Sequence, residues 1–187
     1  LDIYGTHEKL IESYNQFSNQ IDTDGVLVEK AGLSLKTTAG RVREYAIDRN
    51  ADFSAQNISI VNHEYVFDFE SPVRKIENLR LGIPGRHNVE NCVAALSALL
   101  DYNFSDTQLR NALATYSGVK RRFDYQIKSS EIVLIDDYAH HPEELRAVIS
   151  SVKELYAGKK LTVIFQPHLF SRTKDFADEF AQSLSLA

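Results

Sequence analysis

Leu10, Ile11, Tyr14, Phe17 and Ile21 recur at three- to four-residue intervals, and this spacing predicts an amphipathic helix over residues 6–21. A short apolar run at 25–28 reads as a buried strand. From 43 to 70 the period changes to two: Ile58 and Ile60 precede, and Tyr65, Phe67 and Phe69 follow, an Asn62-His63-Glu64 turn, which predicts a small antiparallel hairpin. A Gly/Pro loop at 81–88 opens onto small and apolar residues to 100, the composition of a closely packed helix. Ser105 with Gln108 three residues on forms a capping box and starts a further helix through Tyr116.

After Gly118 the chain turns basic and then irregular, and a domain boundary is expected near residue 124. Beyond it the pattern reads strand 132–135, loop, helix 142–156, a turn at Gly158, strand 161–165, loop, and a helix from about 174. Pro142 suits the first turn of a helix, where no N–H donor is needed. Continuous apolar strands separated by helices predict a parallel sheet with right-handed crossovers, so the fold class is α/β.

Composition narrows the function. The chain has 187 residues, 43% hydrophobic and 25% charged, with a formal net charge of -5. Its longest basic run is Lys120-Arg121-Arg122, which argues against a nucleic-acid partner and leaves a small anionic ligand open. Cys92 is the only cysteine, so no internal disulfide or multi-cysteine zinc site is expected, and the usage fits a reducing compartment such as the cytoplasm. No apolar stretch approaches the roughly 20 residues of a membrane helix. With no methionine in the chain, a piece of a longer protein is expected.

In a parallel sheet the strand-to-helix loops emerge at one edge, where ligands of open α/β folds bind. Two polar clusters lie on such loops: Asp136-Asp-Tyr-Ala-His-His141 and Gln166-Pro-His-Leu-Phe-Ser-Arg-Thr173. Adjacent strands would bring Asp137, His140, His168 and Arg172 to one crevice. A guanidinium suits a carboxylate or phosphate, and imidazoles beside a carboxylate can hold a titratable proton. The structural alternative is that Asp137 caps the helix at Pro142, His141 is solvated and Arg172 pairs with a surface acid. Asp136, Asp137, His140 and His141 also raise a metal site, but adjacent histidines rarely share an ion, and no metal-ligand role is assigned. At the start of the helix near 89, Asn88 and Asn91 share a face and offer the donor and acceptor pattern of an adenine edge; Asn88 as a simple N-cap is the competing reading.

LDIYG (residues 1–5), GRHNVEN (85–91), GVKRRFD (118–124), DDYAHHP (136–142) and FQPHLFSRT (165–173) occur in the order found in the Mur ligases of bacterial cell-wall synthesis, and the chain resembles that family over its whole length. The resemblance implies the C-terminal part of a central ATPase domain over 1–123, then the first half of a Rossmann-like, amino-acid-binding domain over 124–187. It implies an ATP- and Mg2+-dependent ligase of peptidoglycan precursor synthesis, with UDP-N-acetylmuramate and L-alanine as partners. The lactyl carboxylate would be phosphorylated and the amine would attack the acyl phosphate. Carried over position by position, His87, Asn88 and Asn91 match the adenine-contacting segment, Arg122 the arginine that reaches the nucleotide phosphates, and Asp137 the acid that sets the C-terminal domain against ATP. Arg122 and Asp137 are the catalytic assignments. Tyr138, His140, His168 and Arg172 match positions lining the amino-acid and muramyl pocket, with Arg172 meeting the alanine carboxylate.

Leu169 departs from the family pattern, which often has arginine there, and no Gly-x-x-x-x-Gly-Lys-Ser/Thr phosphate loop is present in these residues. The resemblance places that loop, the metal-binding acid and the UDP-binding domain upstream, so these 187 residues alone are expected to be inactive. The near alternative is a murein tripeptide recycling ligase of the same family. From other classes come a non-catalytic Rossmann-like anion-binding module and a metal-dependent hydrolase.

Overall fold

The computed structural model describes residues 4–47 and 49–187. In chain order the described elements are α1 (His7–Ser18), β1 (Val26–Lys30), β2 (Arg41–Ala46), β3 (Phe53–Val61), β4 (Glu64–Glu70), β5 (Lys75–Leu81), α2 (Arg86–Leu99) and α3 (Asp106–Thr115). They continue with β6 (Asp124–Lys128), β7 (Val133–Asp136), α4 (Pro142–Leu155), α5 (Phe170–Asp175) and α6 (Ala177–Leu184). One sheet has the order β1-β2-β3-β4-β5 and a second pairs β6 with β7. Contacts group the chain into two compact units. One runs to Asn57 and adds Asp68–Glu77 and Glu90–Asp106; the other comprises Ile58–Phe67, Asn78–Val89 and Thr107–Ala187.

The expected hairpin is β3 and β4, joined by Asn62 and His63 at φ 54° and 62°. Two consecutive left-handed residues are the signature of a type I′ turn, whose twist matches antiparallel strands. The sheet is larger and more mixed than the alternation predicted: β1 pairs with β2 in parallel from Val26↔Arg41 to Lys30↔Tyr45, and β2 pairs with β3 in parallel at Tyr45↔Phe53 and Ala46↔Ser54.

In the first unit, Ala46, Phe53, Phe69, Ile76, Val93 and Leu96 form a buried core. Arg43 ties β2 to the end of α2, donating to the Ser97 carbonyl and to Asp101, each at 2.5 Å. Helix α1 forms as predicted, with Thr6 as its N-cap, but it turns its polar side inward. Asn15 accepts the Lys36 N–H at 2.8 Å, and Ser18 donates to the Lys36 carbonyl at 2.5 Å. Ile11, Tyr14 and Phe17 are exposed. The two bonds satisfy backbone groups of the β1–β2 connection.

In the second unit the hairpin tip rests on the end of α4. His63 Nδ1 lies 2.8 Å from the Leu155 carbonyl, its ring stacks on Tyr156 at 5.0 Å, and Tyr65 donates to Glu154 at 2.7 Å. Gly82 donates to the Leu113 carbonyl, and a Cβ there would meet the Tyr116 carbonyl oxygen at 2.5 Å, so only glycine permits this approach to the α3 end. Helix α4 covers the predicted span, starting at Pro142. His141, not Asp137, is its N-cap, accepting the Glu143 N–H at 3.4 Å.

The predicted parallel pair of the C-terminal part differs. β7 pairs antiparallel with β6, a strand the sequence pattern did not reveal, and 161–165 carries no strand ladder. That segment keeps the period of a strand. Leu161, Val163 and Phe165 pack on the cluster of Leu145, Ile149 and Phe180, while Ile164 is 94% exposed. These alternate side chains dock the segment on α4 and α6. The last predicted helix starts earlier, as α5, and continues as α6 after a break at Phe176.

Burial pushes the Cys92 thiol up to about 12, and burial followed by hydrogen bonding to Glu154 and to Tyr156 raises Tyr65 and Tyr125. An unfolded thiol gives up its proton from about pH 8.5, so above that pH the unfolded state binds fewer protons than the folded one and stability falls with rising pH. Urea midpoints should therefore drop between pH 8 and pH 10.5, and Cys92→Ala should shrink the drop. At pH 8 the thiol should resist labelling until urea unfolds the chain.

Candidate active site

The segment 121–124 is a tight turn with Arg121 at φ 61° and Phe123 at φ 48°, left-handed positions that non-glycine residues adopt only when held. Three bonds hold it. The Arg121 N–H donates to Asp124 at 3.2 Å, the Phe123 N–H donates to Asp137 Oδ2 at 2.7 Å, and the Tyr138 N–H donates to the Arg121 carbonyl at 2.7 Å. The other oxygen of Asp137 accepts the Ala139 N–H at 2.8 Å. Asp137 therefore fixes the loop leaving β7 to the basic turn, and both of its oxygens are committed to backbone.

That clamp places the remaining side chains. Tyr138, His140 and His168 form a ring triad, with centroids 5.3 Å apart for Tyr138–His140, 5.9 Å for Tyr138–His168 and 6.5 Å for His140–His168. The Tyr138 hydroxyl lies 3.5 Å from His168 Nε2. Arg172, on α5, donates to the His140 carbonyl at 3.4 Å, so it braces the loop instead of pairing with a surface acid. The Arg121 guanidinium sits 4.6 Å from the centre of the Tyr138 ring, with its Nε 3.6 Å from Asp136.

Glu144, one turn into α4, is the participant that sequence reasoning missed. Its Oε2 accepts the His140 N–H at 2.9 Å and lies 3.2 Å from His140 Nδ1, and its Oε1 lies 3.9 Å from Arg122. The i, i+4 spacing from His140 was a usable signal, but it looked like ordinary first-turn acidity. The sequence-nominated residues Tyr138, His140, His168 and Arg172 thus converge in space, with Arg122 joined to them through Glu144. The cluster presents guanidinium and imidazole groups with a phenol, which suits an anionic ligand whose reaction involves a proton transfer.

His87, Asn88 and Asn91 lie on the first turns of α2. Asn88 is inside the helix, not its N-cap, and its side-chain NH2 donates to the Pro84 carbonyl at 2.6 Å. Asn91 is exposed and His87 half-buried. Gly85, at φ 111°, lets the loop enter the helix beside the His87 ring. Leu169 caps α5 without a side-chain bond. Of the LDIYG motif, Tyr4 and Gly5 are described and residues 1–3 lie outside the described residues. Among the described residues, no three His, Cys, Asp or Glu side chains gather as metal ligands, and no helix is long and apolar enough to cross a membrane.

Comparison with known proteins matches residues 1–99 to the Mur ligase middle domain and residues 121–187 to the glutamate ligase domain of Mur ligases. The chain belongs to the Mur ligase family. It is 48% identical over 185 residues to a protein of Christiangramia forsetii named UDP-N-acetylmuramate--L-alanine ligase, covering 99% of this chain and 40% of that one. A protein of the same name from Parabacteroides distasonis is 47% identical, with 100% and 41% covered. The crystal structure of UDP-N-acetylmuramate-alanine ligase MurC from Thermotoga maritima superposes with a TM-score of 0.77 at 26% identity, over 98% of this chain and 40% of that one. The chain thus spans about 40% of the length of the relatives it matches.

Replacing Asp137 by Ala leaves two backbone N–H groups without their charged acceptor, and should cost about 1.5–3 kcal/mol of unfolding free energy. Asp136→Ala, which removes only a half-exposed ion pair, should stay within about 0.5 kcal/mol. Urea unfolding of the two variants checks the difference.

Proposed function

We propose that this chain is part of an ATP-dependent ligase that joins L-alanine to the lactyl carboxylate of UDP-N-acetylmuramate through an acyl phosphate, in cytoplasmic peptidoglycan precursor synthesis. The observation that carries the reading is the 48% identity, across 99% of the chain, to a relative bearing that name. The gathering of Arg122, Tyr138, His140, His168 and Arg172 supports it chemically, because each step of such a reaction spreads negative charge that cationic donors stabilise.

Within this proposal, residues 1–123 form the C-terminal part of the central ATP-binding domain and 124–187 the first part of the amino-acid-binding domain. The gap between the two family matches, 99 to 121, supports a boundary there. Asn91, with Asn88 and His87, addresses the adenine. Arg122 reaches the nucleotide phosphates from the turn that Asp137 holds. Tyr138, His140 and His168 face the muramyl and amino-acid groups, and Arg172 binds the alanine carboxylate. The Mg2+ that accompanies ATP would neutralise phosphate charge when bound; the described residues supply no cluster of three ligands for it.

The test is phosphate release by the full-length protein with ATP, Mg2+ and UDP-N-acetylmuramate, adding L-alanine, L-serine, glycine or murein tripeptide separately. Release that depends on L-alanine is expected. Release with tripeptide alone would move the protein to murein recycling, and none with any acceptor would overturn the ligase reading. In the same assay Arg172→Ala should raise the KM for L-alanine about 10–100-fold, the loss of a charge-assisted contact, and leave that for ATP within about twofold. Equal effects on both would refute the assignment of Arg172.

A further inference from the structure

His140 Nδ1 faces two acceptors. The Tyr138 carbonyl oxygen is 2.9 Å away and Glu144 Oε2 is 3.2 Å away. Two oxygens with lone pairs can be satisfied only by an N–H, so in the neutral ring the proton sits on Nδ1 and the lone pair is on Nε2. That is the opposite of the tautomer a free neutral histidine side chain favours. The His140 side chain is 30% exposed, and its Nδ1 contacts are turned to protein oxygens. Around the ring stand Tyr138, His168, Glu144 and Arg172, the last donating to the His140 carbonyl. Arg122 approaches the other oxygen of Glu144.

We propose that Glu144 is a positioning residue that acts with the Tyr138 carbonyl to hold the His140 proton on Nδ1, so that Nε2 accepts a proton from the incoming ammonium group; the inference rests on the ligase reading. An amino acid arrives as an ammonium ion with no lone pair. Transfer of one N–H proton to His140 Nε2 frees the pair that forms the C–N bond. The C–O bond to phosphate then breaks with its electrons leaving on phosphate, which takes the second N–H proton as the amide forms. The Glu144 carboxylate stabilises the imidazolium produced, as a carboxylate does behind the base of a hydrolytic triad. Its contact with Arg122 ties that histidine to the turn proposed to reach the nucleotide.

The direct test is long-range 1H–15N correlation of the full-length protein with 15N-labelled histidine, the His140 signals being assigned by their loss in His140→Gln. The wild type at pH 8 should show the Nδ1–H tautomer, and Glu144→Ala, in which the Tyr138 carbonyl still accepts, should move part of the His140 population toward Nε2–H. Glu144→Gln, whose amide oxygen can still accept, should retain part of the original tautomer. In the phosphate-release assay Glu144→Ala should lower kcat about 10–100-fold with the KM for ATP within about twofold, and Glu144→Gln should recover part of the loss. An Nε2–H tautomer in the wild type, or an Ala variant with unchanged tautomer, would overturn the positioning role whatever the enzyme's substrate. The expected tautomers with no L-alanine-dependent release in the wild type would overturn the base role and the ligase reading together, leaving the positioning intact.

Discussion

Two backbone N–H groups, from Phe123 and Ala139, end on the carboxylate of Asp137. That clamp holds Phe123 in a left-handed conformation and fixes the exit of β7 from which Tyr138 and His140 project, while Arg121 is held by Asp124 and the Tyr138 N–H. A carboxylate accepting two amide hydrogens is a strong constraint because the anion strengthens each bond. It also ties the chain on one side of residue 124 to the chain on the other.

The cluster is built from charges that restrain one another. Arg121 divides its attraction between the Tyr138 face and Asp136, and Glu144 divides its own between the His140 backbone, the His140 ring and Arg122. Such half-exposed pairs add little to stability. Their effect is orientational: Glu144 at the start of α4 and the Tyr138 carbonyl both face His140 Nδ1, and Arg172 braces the same loop from α5 through the His140 carbonyl.

The site was legible in the sequence where chemistry is clustered along the chain. The Asp136–His141 loop and the His168–Arg172 loop each carry several functional groups within a few residues, and a strand-end position is enough to bring two such loops together. Glu144 was not legible, because an acid in the first turn of a helix is expected for its dipole alone. The structural alternative for Asp137, a cap on α4, fails for a related reason. An aspartate before a helix reads as a cap, whereas its partner, the Phe123 N–H, lies 14 residues away, and the capping position belongs to His141.

By itself the sequence determined what short-range physics encodes. The 3.6-residue period, Pro142 at a helix start and the Ser105 capping box placed the helices, and the two-residue period around Asn62-His63 placed the hairpin, since these depend on neighbours a few residues apart. Tertiary structure decided everything that depends on a distant partner. It turned α1 polar side inward onto the backbone of residue 36, made β6 the antiparallel partner of β7, and packed 161–165 on α4 and α6. Period tells which side chains share a face, but which face is buried, and with which strand a backbone pairs, depends on donors and acceptors brought close only when the whole chain has folded.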